Sequence, residues 1–251
     1  MPVMDEFKES RERIKNASFK EKAIYFFDYY KFHVIITVFV ITLLAILIRD
    51  ITSQKEDAFY AVIMNSILRD TEYIDAFHDN FAEYCGVDTN EYDVMIDNSI
   101  NFSDNPVDEL TMSASQRLVA LTAANTIDVI VGDSTIFPDQ ANQGMFCDLR
   151  MFLTEEQLAE YEPYFYYVDE AYIEYVDEAL DSYDPDMVLP DPIDPTKPEE
   201  MEKPVPVGIF VTDSQTLKDA YPFVGDYVAV GVMANAPHPD VSQDFIDFIF
   251  E

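Results

Sequence analysis

The chain has 251 residues, with fifteen Lys/Arg against forty-nine Asp/Glu and a formal net charge of −34 at neutral pH. A surface that acidic repels nucleic acid and anionic lipid, which excludes nucleic-acid binding as a function. Nearly half of the residues are hydrophobic and thirty-five are Tyr or Phe, so there is apolar material for a real core.

Residues 1–28 read as a cytoplasmic arm. Phe7, Ile14, Phe19, Ile24 and Phe27 recur among mixed charges, which predicts a short amphipathic helix on the inner leaflet or a docking site for a cytoplasmic partner. Ser18 followed three residues later by Glu21 fits a capping box, so a new helix starts at Phe19.

Phe32–Ile48 is a run of seventeen residues without a formal charge. With Tyr29 and Tyr30 it becomes a span over 29–48, close to the roughly 20 residues needed to cross a bilayer. Tyrosines suit the headgroup region, and Lys31 and Arg49 can carry their charges outward from the ends. His33 lies at the interface. A cleaved signal peptide is the rival reading, but Ile48-Arg49-Asp50-Ile51-Thr52 contains no small-x-small cleavage site, and no Cys follows closely for lipidation. An uncleaved signal-anchor is therefore expected.

Seven Lys/Arg precede the run, and only Arg49, Lys55 and Arg69 follow it within about twenty residues. The positive-inside rule then gives a single-pass protein of the cell membrane, amino terminus cytoplasmic and the bulk extracytoplasmic. Charge divides at the same place. Residues 1–49 hold eight basic and six acidic residues, +2, and the remainder holds seven and forty-three, −36.

After a linker over 49–57, residues 58–251 are expected to fold as an extracytoplasmic α/β domain. Ala58–Met64 reads as a strand and Thr71–Tyr84 as an amphipathic helix stopped near Gly86. Tyr92–Ile96 is a second strand, Val107–Asn125 a helix, and Ile127–Val131 a third strand. Alternating strands and helices predict a three-layer, mostly parallel sheet with flanking helices, beside one N-terminal transmembrane helix. Ligands of such sheets sit beyond the carboxyl ends of the strands. Those ends carry Asn65 and Ser66, then Asp97, Asn98 and Ser99, then Asp133 and Ser134, the candidate ligand-binding residues. Any strand-to-helix turn uses the same residue types.

Leu121–Leu153 resembles the extracellular solute-binding proteins of bacterial importers. Ile127-Asp128-Val129-Ile130 is similar to their "pDvi" strand, and Gly144-Met145-Phe146-Cys147-Asp148-Leu149 to their "g-x-l-x-dL" segment. Tyr227–Asn235 and Pro239–Phe250 look like the family's return strand and closing helix. The resemblance covers roughly 58–153 and 204–251 and implies a periplasmic-binding-like lobe. Only about fifty residues, 154–203, stand where a second lobe would be inserted, so it implies one lobe and half a cleft. No Trp is available as a sugar-stacking platform.

The insert 154–203 holds seventeen Asp/Glu between Glu155 and Glu202 and a single Lys197. Its first part reads as helical, with Tyr164, Phe165, Tyr167 and Val168 packed on the lobe. Its second part, with Pro204 just beyond it, holds six prolines over 184–204 and reads as an extended loop leading to a strand over Val205–Val211. Asp181, Asp184, Asp186, Asp191 and Asp194 are the carboxylates best grouped for calcium, but no glycine-bearing D-x-D-x-D-G loop contains them. A solvated acidic face is expected, with no metal and no cofactor.

His33, His78 and His238 are the three histidines, and no HExxH, GxSxG, P-loop or GxGxxG pattern occurs. No catalytic residue is assigned and the chain is read as a non-enzyme. Cys85 and Cys147 form a disulfide outside the cell or stand as two free thiols. The expectation is a membrane-anchored binding or sensing module for a small-molecule or peptide ligand. The alternative is an accessory or scaffold subunit of an envelope complex that makes only protein contacts.

Overall fold

A computed structural model describes residues 18–53, 55–103, 105, 107–181 and 189–250. The chain divides into two units, Met1–Gln54 and Lys55–Glu251.

Among its described residues the first unit contains one helix, α1 (Phe19–Ser53), which begins where the Ser18/Glu21 spacing places a start. The helix continues through residues 49–53 of the expected linker over 49–57, and the first strand opens at Glu56. The amphipathic helix expected before Ser18 lies outside the described residues. Lys31–Arg49 is long and apolar enough to cross a membrane, and none of it is buried. Within the run, the Thr42 hydroxyl donates to the Val38 carbonyl at 2.9 Å, which satisfies it without water.

The second unit is a six-stranded mixed sheet in the order β2-β1-β3-β6-β5-β4. Its strands are β1 (Glu56–Ile63), β2 (Tyr92–Asp97), β3 (Val129–Asp133), β4 (Phe165–Asp169), β5 (Pro204–Phe210) and β6 (Val228–Val232). The helices of this unit are α2 (Thr71–Tyr84), α3 (Glu109–Ala123), α4 (Phe137–Asn142), α5 (Leu149–Phe152), α6 (Glu155–Tyr161), α7 (Glu170–Asp181), α8 (Gln215–Ala220) and α9 (Pro239–Phe250).

β1 shows why the sheet has two cores. Phe59, Ala61 and Ile63 face one side, Tyr60, Val62 and Met64 the other, and all six are buried. A strand covered on both faces reads as a continuous apolar run rather than an alternating one. On the first face Phe77 and Phe81 of α2, Leu217 of α8 and Phe245 and Phe248 of α9 complete the core. On the second, Ala114 and Leu118 of α3 pack with Phe137 of α4, Phe146 and Tyr166. These are the three layers that the sequence predicts.

The sheet is not mostly parallel. β1 pairs in parallel with β2 and β3, but β3–β6, β6–β5 and β5–β4 are antiparallel. The βαβαβ half pairs its strands in parallel, as helical crossovers require. In the other half each connection returns its strand in the opposite direction.

The acidic insert differs most from its expected form. Phe165–Asp169 is not helical: it is the edge strand β4, paired with β5 from Phe165↔Ile209 to Asp169↔Pro204. Asp169 closes this edge by accepting from the amides of Ala171, Glu202 and Lys203. The insert therefore completes the one sheet. The family-like pieces sit together around β6. Cys147 N–H donates to the Val232 carbonyl, Phe146 bridges Met233, and Asp148 caps α5.

Candidate functional site

The carboxyl ends of β1, β2 and β3 bring the predicted residues to one edge, and most of their polar atoms are engaged with the chain itself. Asn65 is left-handed (φ 59°), a conformation that asparagine tolerates. Its Oδ1 accepts from the Phe102 amide at 2.7 Å, and its Nδ2 donates to Thr135 Oγ1 at 3.3 Å. One side chain thus ties the loops that follow all three parallel strands.

Thr135 passes the connection on. Its hydroxyl and amide both donate to Asp133 Oδ1, at 2.5 and 3.0 Å, and Asp133 Oδ2 accepts from the Gly225 amide at 3.2 Å. Ser134 Oγ accepts from the Asp226 amide at 2.9 Å, and its own amide donates to the Tyr227 carbonyl. The Ile67 amide donates to the Pro222 carbonyl at 2.7 Å. Residues 221–226, between α8 and β6, therefore lie across the ends of β1 and β3. A Cβ at Gly225 would stand within 2.8 Å of the Asp133 side chain, so only glycine permits this approach. Ser66 is buried beside these groups and its Oγ makes no hydrogen bond.

Asp97 turns the other way. It accepts from the Tyr60 hydroxyl at 3.0 Å, the Ser99 amide at 2.8 Å and Arg117 Nη2 at 2.6 Å, which joins β1, β2 and α3. Burial pushes its carboxyl up, yet the Ser99 and Tyr60 hydrogen bonds and the Arg117 charge outweigh that and hold it below the ordinary value. Asn98 offers its carbonyl to Asn101, and Ser99 is exposed.

Two arrangements at other places are not foreseen from the sequence. At the start of β3, the fully buried Asp128 accepts from the Tyr60 amide (2.8 Å), the His238 amide (2.6 Å) and His238 Nδ1 (3.0 Å). Ser242 lies one turn on, but its hydroxyl donates to the His238 carbonyl and not to the imidazole. This set fastens α9 to the sheet. Asp128 falls inside the "pDvi" segment, but the partner 110 residues away gives no local signal.

The second arrangement is a cleft of about 620 Å³ between α6 and α9, lined by Tyr84, Gln157, Tyr161, Gln243 and Asp247 among others. Tyr161 donates to Asp247 Oδ1 at 2.5 Å, and Gln157 Nε2 donates to both Asp247 oxygens at 3.2 Å. Burial, then the Asp247 hydrogen bond, raises the Tyr161 phenol above its ordinary value and keeps it a donor. Thr154 and Gln157 form a capping box, a spacing visible in the sequence that places the start of α6.

Of the calcium candidates, Asp194 accepts from the amide and hydroxyl of Thr196, while Asp184 and Asp186 lie outside the described residues. No group of metal-ligating side chains occurs among the described residues. Both cysteines are free thiols. Burial raises each, Cys147 to about 11, which leaves little reactive thiolate near neutral pH.

No family model matches the sequence, and no curated protein matches it. Among solved structures, the chain is similar to a putative oligosaccharide periplasmic-binding protein from Synechococcus sp. MITs9220. The match has 9% identity and a TM-score of 0.35, and covers 76% of this chain and 72% of that one.

Proposed function

We propose that the chain is a single-pass membrane protein presenting a non-catalytic, extracytoplasmic recognition module, and that this module works through contacts with another envelope protein. The carrying observation is the closed strand edge. Asn65, Asp133 and Ser134, where a sheet of this kind would hold a small ligand, bind the loops around them and are crossed by residues 221–226. The apolar side chains of Lys31–Arg49 support the anchor. Burying such surface is worth about 25 cal/mol per Å², and nothing among the described residues of their unit covers them, so lipid is the fitting surroundings.

A second reading, a small-molecule or peptide ligand, is favoured by the cleft between α6 and α9, whose volume falls in the range of ligand pockets. Thermal unfolding of the full chain in detergent, with amino acids, oligopeptides, sugars and divalent cations, separates the two. A ligand at a hundredfold excess over Kd stabilises the native state by about 2.7 kcal/mol. The protein-contact reading predicts no shift with the small molecules. A concentration-dependent shift would overturn it, and loss of that shift in Tyr161→Phe would locate the ligand in the cleft.

A further inference from the structure

We infer that the exposed apolar rim around the closed strand edge is the docking surface for a polypeptide that combines aliphatic or aromatic side chains with Lys/Arg. The inference rests on the protein-contact reading above and names the partner's chemistry. Leu68 is 82% exposed, Val224 81% and Val107 76%, with Ile67 and Leu110 also in solvent. Three loops and the first turn of α3, which holds Leu110, carry them, and the hydrogen bonds already described hold those loops together. Ile67 N–H to Pro222 joins the first to the 221–226 segment. The Phe102 amide on Asn65 joins the loop before α3 to the same point.

The loops are also fixed from outside. Arg69 donates to the Asp219 carbonyl at 3.0 Å and stacks 4.8 Å over Tyr73. Large aliphatic side chains held in solvent on a braced edge mark an interaction site more than they mark a loose loop.

Charge selects the occupant. Asp70, Glu109, Asp219 and Asp226 stand exposed on these same loops or next to them, against Arg69 and Lys218, and Lys218 is paired with Asp213. Residues 50–251 carry −36 in all. A second copy of the chain or an anionic lipid surface would meet like charge here, whereas a cationic polypeptide meets complementary charge. Aliphatic contacts at the centre with Lys/Arg at the margin are the chemistry that fits.

The test uses the full chain in phosphatidylcholine nanodiscs, panned against a displayed library of random dodecapeptides after subtraction on empty nanodiscs. The inference predicts enriched peptides that pair Lys/Arg with Leu, Ile or Phe and whose binding weakens as salt rises. It also predicts about tenfold or greater loss in Leu68→Ser/Val224→Ser, with binding retained in Met151→Ser, which is equally exposed on another part of the domain. Retained thermal stability shows that the double variant is folded. Enriched peptides indifferent to that variant would overturn the patch and leave the protein-contact reading standing. Patch-dependent peptides lacking basic residues would overturn the partner's chemistry. No enrichment over empty nanodiscs would overturn both. A sedimenting dimer of the chain, split by the double variant, would replace the partner with a second copy.

Discussion

At Asp97 the hydrogen bonds and the Arg117 charge win against burial, and the folded pKa lies below the unfolded value of about 3.9. Because the unfolded chain binds the proton more tightly, the stabilisation is complete above that value and is lost as pH falls through the folded pKa. Arg117 is 52% exposed, so solvent screens its share, and the amide and phenol bonds carry most of the effect. Asp97→Asn is predicted to cost about 2 kcal/mol by urea unfolding near pH 7. The difference from the parent protein should shrink below about pH 3.9. A difference that persists unchanged into acid would contradict the assignment. Asp97 was legible in the sequence as a polar strand end, but its role was not. Arg117 lies twenty residues on and Tyr60 on the neighbouring strand, so only the fold shows that the carboxylate is a tie.

Helices and strands with strong periodic signals were legible almost to the residue. Thr71–Tyr84 is helical over the range its apolar spacing predicts, Pro239–Phe250 over the range the family resemblance implies, and β1 follows the run Ala58–Met64 closely. β4 was not legible, because five residues of strand lie between two acidic helices whose spacing swamps the alternation. Its position is enforced by long-range packing. Tyr166 lies opposite Gly208, and the ring of Phe137, 5.0 Å from that of Tyr166, fills the space a side chain at 208 would occupy. A Cβ at Gly208 would stand 2.9 Å from Phe137 Cζ and 2.9 Å from the Val230 carbonyl oxygen, and the carbonyl belongs to the sheet and cannot yield. Gly208→Ala is therefore predicted to destabilise by about 1–3 kcal/mol in chemical denaturation. An unchanged midpoint would mean that β4, β5 and α4 are not packed in this way.

For the whole molecule, the division of charge and hydropathy was the clearest signal in the chain. The direction of half the sheet was hidden, because strand polarity depends on connections and not on composition. The proposed recognition role requires the acidic lobe to be outside the cell, so membrane topology is its sharpest test. In a background with Cys85 and Cys147 replaced by alanine, a single thiol is introduced by Met151→Cys or by Ser10→Cys, and intact cells are treated with a membrane-impermeant maleimide. Met151 is exposed in the lobe, and Ser10 precedes the apolar run. An extracytoplasmic lobe gives labelling of the Met151→Cys protein in intact cells, and of the Ser10→Cys protein only after lysis. Labelling of Ser10→Cys in intact cells, or protection of Met151→Cys until lysis, would contradict it.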